Sequence, residues 1–154
     1  ERFKQRFGRS RPVAFVAALA TILHAGRRLR LAVETPQDSR IVVTTALVVD
    51  NNRLQLEQLG LPEARAVEAG RLVAMFVKPA STGALIALLA RALLRGIEGS
   101  EQVERLALRR LQVTLARGPA HAVVPLAIDG EPLRMQLPVE FTVAPRPLRL
   151  IAPA

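Results

Sequence analysis

The hydrophobic positions along the chain change period several times, and each period predicts a different element. Between residues 12 and 25 the apolar side chains cover most sides of a helix that begins near Pro12 and ends at Gly26. Residues 29–34 then alternate apolar and polar side chains, as in a strand with one buried face. The next run, 40–50, is β-branched almost throughout and predicts a central strand covered on both faces.

The middle of the chain predicts a long connection, a strand and a second helix. Residues 51–70 form the connection, with room for a helical turn, and connections of this length are often functional loops. Residues 71–77 are again apolar and predict a strand. The helix covers residues 81–95, with Ser81 as its N-cap and Gly96 as its stop.

The alternating pattern after residue 102 shifts by one position at Arg109-Arg110. Leu106 and Leu108 occupy even positions, whereas the apolar residues from Leu111 onward occupy odd ones. A shift of one residue is what a β-bulge produces, so the sequence predicts that the strand bends here.

Four short strands end the chain, at 122–128, 132–137, 139–143 and 148–153, separated by Asp129-Gly130 and by prolines. Pro125 lies inside the first of them and predicts an edge position or a bulge. The whole pattern has about eight strands and two helices, which do not alternate as parallel crossover units require. The sequence therefore predicts a mainly β (α+β) protein: one domain over residues 1–154, an antiparallel β-sandwich with two flanking helices.

Composition excludes several classes of site. Half of the 154 residues are hydrophobic and 23% are charged, which is typical of a globular protein. The absence of cysteine excludes disulfides, thiolate zinc sites and cysteine nucleophiles, and no glycine-rich phosphate loop is present. His24 and His121 are far apart, and we interpret them as a helix-end histidine and an isolated histidine. Neither apolar helix reaches the roughly 20 residues that a bilayer requires, so we expect a cytoplasmic protein that can associate peripherally with membranes.

The net charge of +9 favours anionic partners such as phosphates, an anionic membrane surface or nucleic acid. A solvated, arginine-rich surface without a specific partner explains the same charge. Nucleic acid is the less favoured of the specific partners, because only 3% of residues are aromatic and single-strand binders stack bases on aromatic rings.

Two polar segments are candidate sites. Asp50, Asn51 and Asn52 follow the β-branched run, where they either form an Asx turn or line a cleft at the strand end. Glu131 follows the Asp129-Gly130 pair, which is a strong signal for a hairpin turn.

The order of these segments resembles the C-terminal domain of the diacylglycerol kinase, sphingosine kinase and bacterial lipid kinase family. The resemblance lies in the strand ending "VVDNN", the segment "LGLPEARAVEAGRLVAMFV", the helix that ends at Gly96, and the closing series "IDGEPLRMQLPVEFTVAPRPLRLIAP". The closing series is the most specific part. The resemblance implies a two-domain lipid kinase, which uses ATP to phosphorylate a diacylglycerol-like or sphingoid-like hydroxyl.

In that family the nucleotide motif Gly-Gly-Asp-Gly-Thr lies in an N-terminal domain, and this sequence does not contain it. The resemblance implies that Glu131 is the general base and that Asp129 and Gly130 lie near the nucleotide; Asn51 and Asn52, from their position at the strand end, are the candidates to line the cleft. ATP and Mg²⁺ are then the cofactors of the intact protein, and we expect this chain alone to bind neither stably and to be inactive. The chain begins at Glu1 and not at Met, so we expect it to be part of a longer protein.

One departure from the family leaves alternatives open. Members with a magnesium site have an aspartate where this chain has Ala69, and Glu68, one position earlier, is the remaining candidate ligand. The first alternative is therefore a non-catalytic lipid- or membrane-binding module whose kinase site has decayed. The second is a basic nucleic-acid-binding β-domain. Strand edges left open by a missing partner domain also allow a homodimer.

Overall fold

The computed structural model describes residues 28–94, 96–129 and 131–144. The strands in these ranges are β1 (Leu29–Glu34), β2 (Ser39–Thr44), β3 (Ala46–Asp50), β4 (Leu72–Val77), β5 (Val103–Leu108), β6 (Arg110–Leu115), β7 (Val123–Ile128), β8 (Glu131–Gln136) and β9 (Val139–Thr142). The helices are α1 (Arg53–Gln58), α2 (Ala64–Glu68) and α3 (Thr82–Leu94). The predicted helix over 12–25, the predicted strand over 148–153 and Gly130 lie outside the described residues.

The strands form antiparallel sheets, which confirms the predicted mainly β fold. Sheet A has the order β2-β1-β6-β9, sheet B has the order β3-β4-β5, and β7 and β8 form a separate hairpin. Sheets A and B face each other across one apolar cluster. Its buried members are Leu31, Val33, Val42, Ala74, Phe76, Leu108, Leu111 and Val113. This arrangement is the predicted sandwich.

A second apolar cluster lies on the other face of sheet B, under the helices. It joins Val73, Met75 and Val77 of β4 to the inward faces of α1 and α3. Because β4 has sheet A on one side and the helices on the other, all six of its residues are buried. The strand covered on both faces is thus β4, and not the 40–50 run for which the sequence predicted that position.

The 40–50 run divides into two strands at Thr45. β2 lies in sheet A and β3 in sheet B, and each pairs with one neighbour among the described strands. The buried hydroxyl of Thr44 is 2.6 Å from the carbonyl oxygen of Ala46 and 2.7 Å from that of Val77. These contacts satisfy polar groups where the chain crosses between the sheets, a role that β-branched patterning does not reveal.

The predicted bend at Arg109 is a second crossing of the same kind. β5 belongs to sheet B and β6 to sheet A, and the single residue between them turns the corner. Each strand keeps its own alternation toward the shared core, which explains the shift in phase. The prediction of a bend is therefore confirmed, although the chain continues in a different sheet and not as one bulged strand.

The second predicted helix is α3, and its caps are as predicted. The Ala84 N–H donates to the Ser81 hydroxyl oxygen at 3.3 Å, and Gly96 has a φ of +79° just beyond the helix. The 51–70 connection contains the short helices α1 and α2, where the sequence predicted at most one helical turn. None of the described helices is long and apolar enough to cross a bilayer.

Candidate functional site

Asp50 ends β3 as a buried carboxylate. It is opposite Val73 in the β3–β4 ladder, and only 8% of its surface is exposed. Its Oδ1 accepts a 2.7 Å hydrogen bond from the backbone N–H of Asn52, whereas its buried Oδ2 has no partner among the described residues. Burial raises the pKa of this carboxyl above its ordinary value, and the nearby charge of Asp129 raises it further, against the opposing backbone N–H groups of Asn52 and Asn51.

The two asparagines start α1. The side chain of Asn52 is its N-cap and accepts from the Gln55 N–H at 3.3 Å. Asn51 and Asn52 are both exposed at the end of sheet B. The turn interpretation therefore accounts for Asn52, while Asn51 is exposed next to Asp50.

The strands β7 and β8 form a hairpin, and Asp129 follows β7 at its tip. Ile128 is opposite Glu131, and Asp129 has a φ of +51°, the left-handed conformation that such two-residue turns require. Pro125 lies on this two-stranded ribbon, which confirms the predicted edge position. Asp129 and Glu131 are both exposed at the tip.

The hairpin stands away from the sandwich. No residue of β7 or β8 is buried, and within the described residues these strands pair only with each other. At its base, the Leu137 N–H donates to the Ala122 carbonyl at 2.9 Å, and His121 Nδ1 is 3.4 Å from the Leu137 oxygen. His121 therefore belongs to the base of the hairpin.

The hairpin tip and the end of β3 are linked electrostatically. The charge of Asp129 contributes to the raised pKa of Asp50, after the larger effect of burial. The "VVDNN" and "IDGE" segments, far apart in sequence, thus supply two coupled carboxylates. We interpret this pair as the centre of the candidate site.

Glu68, the last residue of α2, is paired with a cation. Its carboxylate contacts the guanidinium of Arg53, which also contacts Glu57 Oε1 at 2.7 Å. Ala69 follows as the C-cap of α2. Among the described residues, no group of three or more acidic, histidine or cysteine side chains is arranged to hold a metal.

Two buried ionic features go beyond what the sequence predicts. The sequence places Asp50 in a turn or at a cleft at the strand end, but it does not predict that the carboxyl is buried. Glu63 and Arg105 form a half-buried ion pair, with Nε and Oε1 3.3 Å apart, between the α1–α2 connection and β5. Nothing in the local sequence links these two residues, because their pairing depends on how the helices cover sheet B.

Comparisons with protein-family models and with curated proteins found no match to this chain. The interpretation of the site therefore depends on the geometry of its own residues, above all on the Asp50–Asp129 region and the exposed Glu131.

Proposed function

We propose that this chain is the substrate-binding and lid domain of a lipid kinase-like protein. The intact protein would transfer the γ-phosphoryl group of ATP to the hydroxyl of a diacylglycerol-like or sphingoid-like lipid. The observation that carries the proposal is the tip of the β7–β8 hairpin, where Asp129 and Glu131 are exposed and the charge of Asp129 contributes to the raised pKa of Asp50. This electrostatic link joins two of the segments on which the family resemblance depends, and it supports the proposal.

In this proposal Glu131 is the general base. As the lipid oxygen forms its bond to the γ-phosphorus and the bond from that phosphorus to the β–γ bridging oxygen breaks, the hydroxyl proton passes to the Glu131 carboxylate. ADP leaves with the bridging oxygen. An exposed carboxylate at a hairpin tip suits this role, because it can approach a hydroxyl held on an opposite surface.

The exposed apolar side chains of the hairpin also support the proposal that another domain packs against it. A two-stranded ribbon without a covered face is marginally stable in water, and Val123 and Ile128 on this ribbon are 58% and 55% exposed. An N-terminal nucleotide-binding domain would cover these side chains and supply the ATP site opposite Glu131. The net charge of +9 suits work at an anionic membrane surface from the cytoplasmic side.

The described residues do not form a magnesium site of their own. Glu68 is engaged by Arg53, and among the described residues no group of three or more acidic, histidine or cysteine side chains is arranged to hold a metal. We therefore assign the metal to the nucleotide and its own domain, and derive no step of the reaction from a metal on this chain.

The test compares this chain with a longer protein that contains it. Both are incubated with ATP and either diacylglycerol or sphingosine, and lipid phosphate is measured. The proposal expects turnover by the longer protein and none by this chain alone. Turnover by the isolated chain would contradict the division of the site between two domains.

A second candidate function is a lipid-binding module whose kinase chemistry has been lost. Two observations favour it: Ala69 stands where family members with a magnesium site have an aspartate, and the described residues contain no group of three or more potential metal ligands. It predicts that the longer protein binds lipid vesicles yet phosphorylates neither class of lipid.

A further inference from the structure

A groove with a volume of about 510 Å³ lies at the other end of sheet B from Asp50. Asp50 pairs with Val73 at the start of β4, whereas the groove is lined by Phe76 and Lys78 at its end. Five residues of extended strand separate Val73 from Lys78, or about 16 Å. The groove is therefore distinct from the Asp50–Asp129 region.

The polar wall of the groove has an excess of positive charge. Arg28, Arg40 and Lys78 line it together with a single acid, Glu104. The Arg40 guanidinium is paired with Glu104, while Arg28 and Lys78 form no ion pair among the described residues. Two uncompensated cations in one depression favour an anionic ligand between them.

The position of Lys78 is set by the fold. Its backbone N–H donates to the Gln102 carbonyl at 2.8 Å, directly after the fully buried strand β4. A cation attached to a fixed backbone loses less conformational freedom on binding than one in a mobile loop. The groove therefore has one cation whose backbone is held by the fold.

The edge of β2 adds backbone donors. The Arg30 carbonyl accepts from the Ala116 N–H at 2.8 Å, so the Arg30–Val43 pair of the β1–β2 ladder is a non-hydrogen-bonded pair. The N–H of Val43 consequently points away from β1, on the side of β2 that no described strand covers. Val43 itself lines the groove.

The remaining wall is apolar and partly open to solvent. Ile41 is 65% exposed and Val43 is 38% exposed, and both line the groove together with Pro79. Exposed aliphatic surface beside unpaired cations suits a ligand that has an anionic head and an apolar chain. A small hydrophilic anion would leave that aliphatic surface in water.

We propose that this groove binds the phosphate or carboxylate head of a single-chain amphiphile. The head lies between Arg28 and Lys78, and the chain lies along Ile41 and Val43. This site does not depend on the kinase proposal, because it uses none of the residues near Asp129.

The chain has no Trp or Tyr to report binding, so the test is calorimetric. Octyl phosphate, inorganic phosphate and octanol are titrated separately into the protein below the aggregation concentration of the amphiphile. We expect octyl phosphate to bind about tenfold more tightly than either of the other two, because only it uses both walls of the groove. Equal affinity for inorganic phosphate would overturn the amphiphile assignment and leave a simple anion site.

Two sets of variants locate the site. Arg28→Gln combined with Lys78→Gln should weaken octyl phosphate binding about tenfold, as expected for the loss of two charged contacts. Arg65→Gln combined with Arg117→Gln removes the same charge at exposed positions outside the groove and should leave the affinity within about twofold. Equal losses in both double variants would overturn the location.

Ile41→Ser tests the apolar wall. It should weaken octyl phosphate binding and leave any inorganic phosphate binding unchanged, since it removes aliphatic surface without changing charge. Unchanged binding of octyl phosphate would show that the chain does not lie along β2.

Discussion

Asp129, at the tip of the β7–β8 hairpin, lies near enough to the buried carboxyl of Asp50 to raise its pKa electrostatically. The larger cause of the raised pKa is the burial of Asp50 itself, which has one oxygen without a partner among the described residues. A second carboxylate nearby adds to this cost. The end of sheet B is therefore a place where the fold tolerates an electrostatic penalty, as functional sites commonly do.

The pKa of Asp50 determines how stability responds to pH. Below the ordinary aspartate pKa of 3.8 the carboxyl is protonated in both folded and unfolded chains. As the pH rises past this value, the unfolded chain releases the proton first, so Asp50 lowers the free energy of unfolding toward neutral pH. Asp50→Asn should therefore become more stable relative to wild type as the pH rises from 3.5 to 7.

Urea unfolding at several pH values measures this difference. Asn retains an oxygen that can accept the Asn52 N–H, so the main change is the loss of a titrating group. Asp129→Asn should also become more stable relative to wild type as the pH rises, but by a smaller amount than Asp50→Asn. Asp38→Asn, at the exposed β1–β2 turn, is the matched control. If the difference in unfolding free energy between Asp50→Asn and wild type stayed constant from pH 3.5 to 7, the raised pKa of Asp50 would be contradicted.

Glu131→Gln tests the proposed general base. In a longer protein with kinase activity, it should lower kcat by about 10²- to 10⁴-fold, the usual contribution of a positioned acid or base. Because Glu131 is exposed, the free energy of unfolding should change by less than about 0.5 kcal/mol. Glu101→Gln, another exposed position, is the matched control and should retain activity. Wild-type turnover by Glu131→Gln would contradict the general-base role and leave the hairpin tip with a structural role alone.

Gly96 illustrates a close approach between two segments. It has a φ of +79°, and a Cβ there would lie 2.4 Å from the carbonyl oxygen of Leu59. Gly96→Ala should cost roughly 2–4 kcal/mol of unfolding free energy, from left-handed strain and this clash. Gly70→Ala has a similar φ of +66° but no atom within 4 Å of the added Cβ, so it should cost only about 1–2 kcal/mol.

Gly83→Ala should have the opposite effect. Gly83 lies in α3, and an added Cβ would meet no atom within 4 Å. Replacing a helical glycine by alanine should raise the free energy of unfolding by about 0.5–1 kcal/mol. Urea midpoints of the three glycine variants rank these effects. A cost for Gly70→Ala equal to that for Gly96→Ala would contradict the close contact with Leu59.

Thr44→Val tests the crossing between the two sheets. It removes the buried hydroxyl that contacts the Ala46 and Val77 carbonyl oxygens and accepts from the Ala46 N–H at 3.2 Å. The Val77 carbonyl keeps its hydrogen bond from the Thr45 N–H at 2.8 Å, but the loss of the hydroxyl at this buried corner should still cost about 1–3 kcal/mol in thermal or urea unfolding. Thr114→Val, at a half-buried position in β6, is the control and should cost less. Equal losses would show that the hydroxyl does not stabilise the corner.

Part of the candidate site could be predicted from the sequence. The Asp129-Gly130 turn is a local signal, and the structure has the hairpin at that position with Glu131 beside its tip. The burial of Asp50 and its closeness to Asp129 were not predicted, since both depend on the packing of strands from different parts of the chain. The pairing of Glu68 with Arg53 was likewise hidden, because it joins the ends of two short helices.

The sequence by itself determined the antiparallel, mainly β class, the ends of α3 and the last hairpin. These features follow from periods and caps that extend over a few neighbouring residues. Only the tertiary structure decided that the 40–50 run divides between two sheets and that β4 is the strand covered on both faces. The physical reason is that an apolar, β-branched run fits either an edge or a centre, and the choice depends on which distant strands and helices pack against it.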